Sequence, residues 1–446
     1  MLVFSCGSGG GTGGGAGGGT AGGSGGGAGG GTGGGTGGGT AGGTGGGTAG
    51  GTGGGTAGGA GGGTGGGTAG GAGGGSGATI VCTHLGDGGT KTARPDAGFQ
   101  TRTTFTASQC LHLVGADFTG DGRIDIGAIG QTQWKVYPSN GNGTFITTGS
   151  APAAGNGYPA LGNFDQDSDG GLDVASSIAG GFGAPGSLNV LFNAGAGAFS
   201  PRVQNTIVDG AGGSAAADFD GDGLPDIATA HTTGNGRVGI VFGRSGGRYD
   251  GGETLYPTGV GASFVYARDL NGDAKPDLAV ANTSGNSVSV LLNNGNGTFA
   301  GATNYPVSTS PNQIAELDVD NDGCLDLVTS NGGSSNFAVL VNNGGTNGSL
   351  SFGAAIYTDA GTNLAIRSLT TGDFNGDDVA DVVLSNNSAG NAQVWYGLGA
   401  GAFRLGPVLG TTISAGSIMS ADFNGDGLPD LAQCSTLGSI AIYLGK

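Results

Sequence analysis

The chain has 446 residues, of which 112 are glycine and 10% are charged, and its formal charge at pH 7 is −18. An acidic protein repels nucleic acid and anionic lipid, so we expect it to bind neither. No run of 18 apolar residues occurs, so no transmembrane helix is predicted.

The first six residues (MLVFSC) resemble the end of a bacterial lipoprotein signal, in which a cysteine after a small residue carries the lipid. The charged part and the long apolar part of such a signal are missing. Two interpretations stay open: the natural start lies upstream and Cys6 is a lipid anchor, or the resemblance of residues 1–6 is chance.

Residues 7–77 contain only Gly, Ala, Ser and Thr, without the Gly-X-Y period of collagen. Such a segment cannot bury a core, so a disordered linker is predicted. A flexible coil of this length spans roughly 45–50 Å, enough to hold a domain clear of a cell surface. A low-complexity expansion without a task is the alternative.

Residues 78–446 have the composition of an all-β domain, with short apolar runs bounded by Gly, Asn, Asp and Pro. One unit shows four such runs, at 213–219, 226–231, 236–243 and 249–256. Four short strands per unit are typical of a propeller blade.

The segment from Asp218 to Asp226 (DFDGDGLPD) has carboxylates at its first, third, fifth and ninth places. Alternate acidic side chains converge when the backbone curls, Gly223 allows the sharp turn, and the carbonyl of Leu224 can supply a further oxygen. This pattern predicts a calcium loop.

Seven such loops occur, and their starts lie 48 to 55 residues apart, which is typical of a repeat architecture. We number them loop 1 to loop 7 in chain order. The predicted metal ligands are Asp117, Thr119, Asp121 and Asp125; Asp165, Asp167, Asp169 and Asp173; Asp218, Asp220, Asp222 and Asp226; Asp269, Asn271, Asp273 and Asp277; Asp318, Asp320, Asp322 and Asp326; Asp373, Asn375, Asp377 and Asp381; and Asp422, Asn424, Asp426 and Asp430.

These places hold 24 of the 30 aspartates, so most of the negative charge consists of predicted ligands for up to seven Ca²⁺ ions. Rival calcium folds do not fit. An EF-hand needs a glutamate at place twelve, where loop 3 has Thr229, and a nonapeptide β-roll needs a period near nine.

Apolar residues recur around the loops and predict core positions. They stand at the second place (Phe118, Phe219, Leu270, Val319, Phe374 and Phe423) and directly after the loop (Ile126, Val174, Ile227, Leu278, Leu327, Val382 and Leu431). Tight glycine turns follow, as in YPSNGNGTF (137–145), FNAGAGAF (192–199), LNNGNGTF (292–299) and YGLGAGAF (396–403).

With these paired motifs, residues from about 98 to 446 resemble the FG-GAP or VCBS repeat family, the calcium-bearing propeller at the head of integrin alpha chains. The resemblance implies a seven-bladed β-propeller whose metal loops join the first and second strands of each blade on one face.

Several loops depart from the pattern. Thr119 lacks a carboxylate or carbonyl oxygen, and Ala274 and Asp378 stand where loops 4 and 6 need the turn glycine. In loop 2 the aromatic residue is Phe164, before the first aspartate, which puts the register of that loop in doubt by two residues.

The cysteines Cys82, Cys110 and Cys434 would lie near the seam where the ring closes, so a disulfide among these three is expected, with Cys324 free; four ordinary small strand residues are the alternative. The three histidines are scattered, and no nucleophile elbow or phosphate loop is present. No catalytic constellation is therefore predicted.

We expect an extracellular or surface-tethered module for adhesion or ligand binding, contacting a protein or glycan with the face opposite the metal loops, where connections vary more. A secreted polysaccharide-acting enzyme that uses the propeller funnel and a purely structural surface protein are the alternatives. We also expect residues 97–105 to supply the fourth strand that the last repeat lacks, which would close the ring.

Overall fold

The computed structural model describes residues 98–446, apart from 108–109, 131–132, 148–149, 153–154, 156, 168–170, 181–183, 201–202, 209, 345–347 and 411–413. The expectations for residues 1–6 and 7–77, for the domain start at Ala78 and for Cys82 lie outside the described residues. Among the described residues, none forms a helix that could cross a membrane.

The described residues form seven antiparallel sheets of four strands, which are the blades of a propeller. The first strands of blades 1 to 7 are β2 (His112–Ala116), β6 (Ala160–Gly162), β10 (Ala211–Ala217), β14 (Ala262–Arg268), β18 (Pro311–Leu317), β22 (Ile366–Gly372) and β26 (Ala415–Ala421). The second strands are β3 (Asp125–Ile129), β7 (Asp173–Ile178), β11 (Asp226–His231), β15 (Asp277–Asn282), β19 (Asp326–Asn331), β23 (Asp381–Asn386) and β27 (Asp430–Ser435).

The outer half of each blade follows the same order. The third strands are β4 (Gln133–Tyr137), β8 (Gly186–Leu191), β12 (Arg237–Val241), β16 (Ser287–Leu291), β20 (Asn336–Leu340), β24 (Asn391–Gly397) and β28 (Ser439–Tyr443). The fourth strands are β5 (Ser150–Pro152), β9 (Val203–Ile207), β13 (Thr254–Pro257), β17 (Thr303–Pro306), β21 (Ile356–Asp359), β25 (Phe403–Gly410) and, for blade 7, β1 (Thr103–Thr106).

The core lies between neighbouring blades, because the inner strands are covered on both faces. All residues of β11, β15, β19, β23 and β27 are buried. Phe219 of blade 3 and Leu278 of blade 4 share one apolar cluster. The predicted core residues at the second place and directly after each loop are all buried, which confirms that prediction.

The ring closes as predicted, because β1 pairs with β28 and Phe99 forms a bridge with Gly445. A disulfide between Cys110 and Cys434 joins blades 1 and 7 across this seam, with the two Cα atoms 5.9 Å apart, and confirms a disulfide at this position. The expectation that Cys324 is free is wrong, because Cys324 is also disulfide-bonded.

Candidate metal centre

The metal loops are held in shape by their own carboxylates and backbone amides. In loops 1 and 3 to 7, one oxygen of the first-place aspartate accepts a hydrogen bond of 2.7–3.0 Å from the place-six N–H. The fifth-place aspartate accepts one of 2.8–3.1 Å from the place-seven N–H. The first and fifth carboxylates therefore face the inside of one curled loop.

Turn conformation at place six is left-handed in every loop that departs from glycine there. Ala274 has φ of 65° and Asp378 has φ of 63°, compared with 85° for Gly223. The loops thus keep one backbone shape despite the cost of a side chain in this region.

The ninth-place aspartate of every blade is fully buried and connects two parts of its blade. Its Oδ2 accepts a hydrogen bond of 2.6–3.1 Å from the N–H of the aromatic or apolar residue at the second place. Its Oδ1 accepts one of 2.7–2.8 Å from an N–H just after the third strand. This carboxylate ties the metal loop to the turn between strands three and four.

Burial makes the ionised form of these carboxylates unfavourable, although the backbone hydrogen bonds oppose the effect. It raises the pKa of Asp173, Asp226, Asp277, Asp326 and Asp381 to about 7, raises the pKa of Asp430 to about 6, and also raises that of Asp125. A nearby cation would favour their charged form.

Carboxylate oxygens converge most closely in loops 3 and 5 among the described residues. One oxygen from each of Asp218, Asp220 and Asp222 lies within 4.8 Å of the others, and the same holds for Asp318, Asp320 and Asp326. Burial and the neighbouring carboxylates raise the pKa of the third-place residues Asp220 and Asp320, although backbone hydrogen bonds oppose this. Crowding of this kind is relieved by a cation.

Loop 6 offers a further observation that fits a metal. Asn375 at its third place is buried, and its Oδ1 has no hydrogen-bond partner. A buried oxygen without a partner is costly. All side-chain donors at the predicted places are oxygens, the ligand type that Ca²⁺ prefers, so the residues present fit this ion.

The structure shifts the register of loop 2. Gly162 pairs with Asp173 as Ala217 pairs with Asp226, so Asn163, and not Asp165, follows the first strand directly. Phe164 therefore occupies the second place, and the loop carries two extra residues before Asp173. Asp165 and Asp167 move to the third and fifth places, and the predicted ligand Asp169 lies outside the described residues.

Neighbouring blades are linked through the loops, a feature that the sequence analysis missed. In blades 2, 4 and 5, an asparagine after the third strand donates a side-chain hydrogen bond to the second-place carbonyl of the preceding or a neighbouring loop: Asn193 to Phe118 at 2.9 Å, Asn293 to Phe219 at 3.1 Å and Asn342 to Leu270 at 3.0 Å. In each pair the loop belongs to the preceding blade. The asparagine in the turn motifs was the available signal.

The centre of the ring is narrowed by Tyr158 of blade 2. Its ring centroid lies 3.7 Å from that of His112 and 4.8 Å from that of Phe264, and its hydroxyl donates a hydrogen bond of 3.4 Å to the carbonyl of Arg367 in blade 6. Beside it is a cavity of about 60 Å³, also lined by Arg268. This volume holds about four water molecules.

The family model for FG-GAP-like repeats matches six overlapping segments between residues 117 and 432. The chain belongs to this family of repeat proteins. A comparison with curated protein sequences found no match.

Solved structures share the fold at low sequence identity. BBS1N in complex with ARL6DN is 12% identical with a TM-score of 0.50, over 80% of this chain and 96% of that chain. An Agrocybe aegerita lectin that recognises non-reducing terminal N-acetylglucosamine is 19% identical with a TM-score of 0.44, over 76% of this chain and 86% of that chain. A putative 6-phosphogluconolactonase from Bacteroides fragilis is 12% identical with a TM-score of 0.47, over 60% and 76%.

Proposed function

We propose that this protein is a calcium-stabilised propeller that binds a protein or glycan with the face opposite the metal loops and carries out no chemistry itself. The observation that carries the proposal is the difference between the two faces. The metal loops bring three or four carboxylates each to one face. The connections between the second and third strands at 232–236, 283–286, 332–335, 387–390 and 436–438 contain no charged residue and are rich in Ser, Thr, Asn and Gly.

Two exposed apolar side chains on the uncharged face support its role in contact. Val260 is 49% exposed and Leu437 is 73% exposed, each within a polar connection. Apolar anchors surrounded by uncharged hydrogen-bonding groups suit a protein or glycan surface. BBS1N is printed as a complex with ARL6DN, so a propeller of this fold serves there as a protein-binding module.

Two further observations support the remaining parts of the proposal. The narrowing of the centre by Tyr158 favours an outer face over a catalytic funnel as the contact surface. The disulfide bonds at Cys110, Cys434 and Cys324 favour an oxidising, extracellular location.

The binding face is tested with a glycan array and with pull-down from extracellular fractions, using Val260→Ala/Leu437→Ala. The matched control is Ile146→Ala/Leu398→Ala, which removes two apolar side chains of similar exposure from the turns between the third and fourth strands. We expect the first pair to lose capture and the control to keep it, with equal melting temperatures. Equal capture by both pairs would contradict the proposed face.

Calcium is tested by calorimetry with and without chelator and by native mass spectrometry. At calcium tenfold above the dissociation constant, each independent site adds roughly 1.4 kcal/mol of stability. We expect a lower melting temperature in chelator and several bound ions at saturation. A melting temperature indifferent to chelator would reject calcium as a structural cofactor.

A further inference from the structure

Loops 1 and 4 differ from the others in carrying a cationic side chain at place seven. Arg123 stands there in loop 1 and Lys275 in loop 4. The corresponding residues of loops 3, 5, 6 and 7 are Leu224, Cys324, Val379 and Leu428.

Both cationic side chains bend back onto the fifth-place carboxylate of their own loop. Arg123 Nη1 lies 3.2 Å from Asp121 Oδ2, and Lys275 Nζ lies 3.3 Å from Asp273 Oδ2. Arg123 Nη1 also donates a hydrogen bond of 3.3 Å to the carbonyl of Ser139, at the turn after the third strand. Each carboxylate that would ligate a metal thus already has a positive partner.

The stems of both side chains lie across a glycine of the same blade. A Cβ on Gly141 would be 3.1 Å from Arg123 Cδ, and a Cβ on Gly295 would be 2.7 Å from Lys275 Cδ. Both glycines belong to the sequence Asn-Gly-Asn-Gly-Thr-Phe, which occurs at 140–145 and 294–299. The cation at place seven and the open turn beneath it therefore occur together in two separate blades.

The metal ligands of these two loops are also reduced. Thr119 and Asn271 replace a carboxylate at the third place, so each loop has three carboxylates and one cation, compared with four carboxylates in loops 3 and 5. The converged oxygen groups among the described residues lie in loops 3 and 5, and not in loops 1 and 4.

We propose that Arg123 and Lys275 are internal counter-ions that replace the bound metal, so that loops 1 and 4 form without calcium while loops 3 and 5 require it. This inference rests on the proposed role of calcium. A unit positive charge about 5 Å from a divalent ion weakens its binding by roughly tenfold even with the screening of water. The structure thus divides the ring into loops with a built-in cation and loops with an exchangeable one.

The test uses the full chain and calcium alone, with ion counts from native mass spectrometry and affinities from titration calorimetry. Arg123→Leu/Lys275→Leu copies the leucine of loops 3 and 7, and Leu224→Lys places the cation in loop 3. Arg237→Leu, at the opposite end of blade 3, is the control for overall charge.

We expect Arg123→Leu/Lys275→Leu to strengthen calcium binding at two sites by about tenfold or more. It should also lower the melting temperature in chelator, because the internal cations are lost. Leu224→Lys should weaken one strong site, and Arg237→Leu should change neither count nor affinity. Hydrogen exchange in chelator should leave loops 1 and 4 more protected than loops 3 and 5.

Two outcomes separate this inference from the proposed function. If the native chain binds calcium but Arg123→Leu/Lys275→Leu gives the same isotherm, the internal counter-ions are rejected and the calcium-stabilised propeller stands. If the native chain binds no calcium while that variant gains two ions, the proposed cofactor is rejected and the counter-ions stand. Absence of binding in every variant rejects both.

Discussion

The side-chain amide of Asn293 in blade 4 donates a hydrogen bond of 3.1 Å to the carbonyl oxygen of Phe219 in blade 3. The backbone N–H of Asn293 donates to Asp277 Oδ1, the ninth-place carboxylate of its own blade, at 2.8 Å. One residue therefore joins two metal loops, so that distortion of one loop is transmitted to the next.

Removal of this link should destabilise the ring without changing its metal ligands. Asn293→Ala leaves the buried carbonyl of Phe219 without the side-chain donor, and we expect a loss of about 1–2 kcal/mol in the free energy of unfolding. Asn294→Ala removes a neighbouring exposed amide and should stay within about 0.5 kcal/mol of the native chain. Denaturant unfolding in saturating calcium compares them. Equal losses would show that the inter-blade bond has no energetic role.

The ninth-place and third-place carboxylates of loop 5 should have different roles. Asp326 accepts two backbone N–H groups, so Asp326→Asn turns an amide group toward a donor and should cost about 2–3 kcal/mol with or without calcium. Asp320→Asn, at the third place, should weaken calcium binding and change stability only when calcium is present. Unfolding curves with and without chelator measure both. A loss for Asp326→Asn that disappears in chelator would assign it to the metal alone.

The disulfide at the closing seam should stabilise the whole ring. Cys110 and Cys434 are 324 residues apart, so the bond closes a very long loop. We expect Cys110→Ala/Cys434→Ala to lower the free energy of unfolding by about 2–4 kcal/mol. The measurement is denaturant unfolding without reductant, which leaves the disulfide of Cys324 intact. An unchanged midpoint would mean that strand pairing alone closes the ring.

Strand β1 should be required for solubility, because it covers the edge of β28. Deletion of residues 1–90 should leave a folded domain, whereas deletion through Ala107 should expose that edge and cause aggregation. Both truncations should carry Cys324→Ala, so that neither exposes a free thiol. Light scattering and thermal melting compare them, and equal solubility of the two truncations would contradict the assignment of β1.

The sequence by itself determined the features that depend on neighbours along the chain. Alternating acidic residues followed by a turn glycine curl into a loop wherever they occur, and the repeat of this pattern with four short strands indicates the propeller. The apolar residue at each second place is buried because strand alternation directs it inward. The closure of the ring could also be predicted, because the last repeat lacks a strand that the first segment supplies.

Only the tertiary structure decided the features that join distant residues. Strand pairing, and not the acidic motif, sets the register of loop 2, so Asn163 takes the first place. The double hydrogen bonding of each ninth-place aspartate depends on an amide 14 to 20 residues away, and the asparagine links span 72 to 75 residues. Cys324 is disulfide-bonded although its place in loop 5 indicated a free thiol. These contacts form because the ring brings blades side by side, which no local pattern encodes.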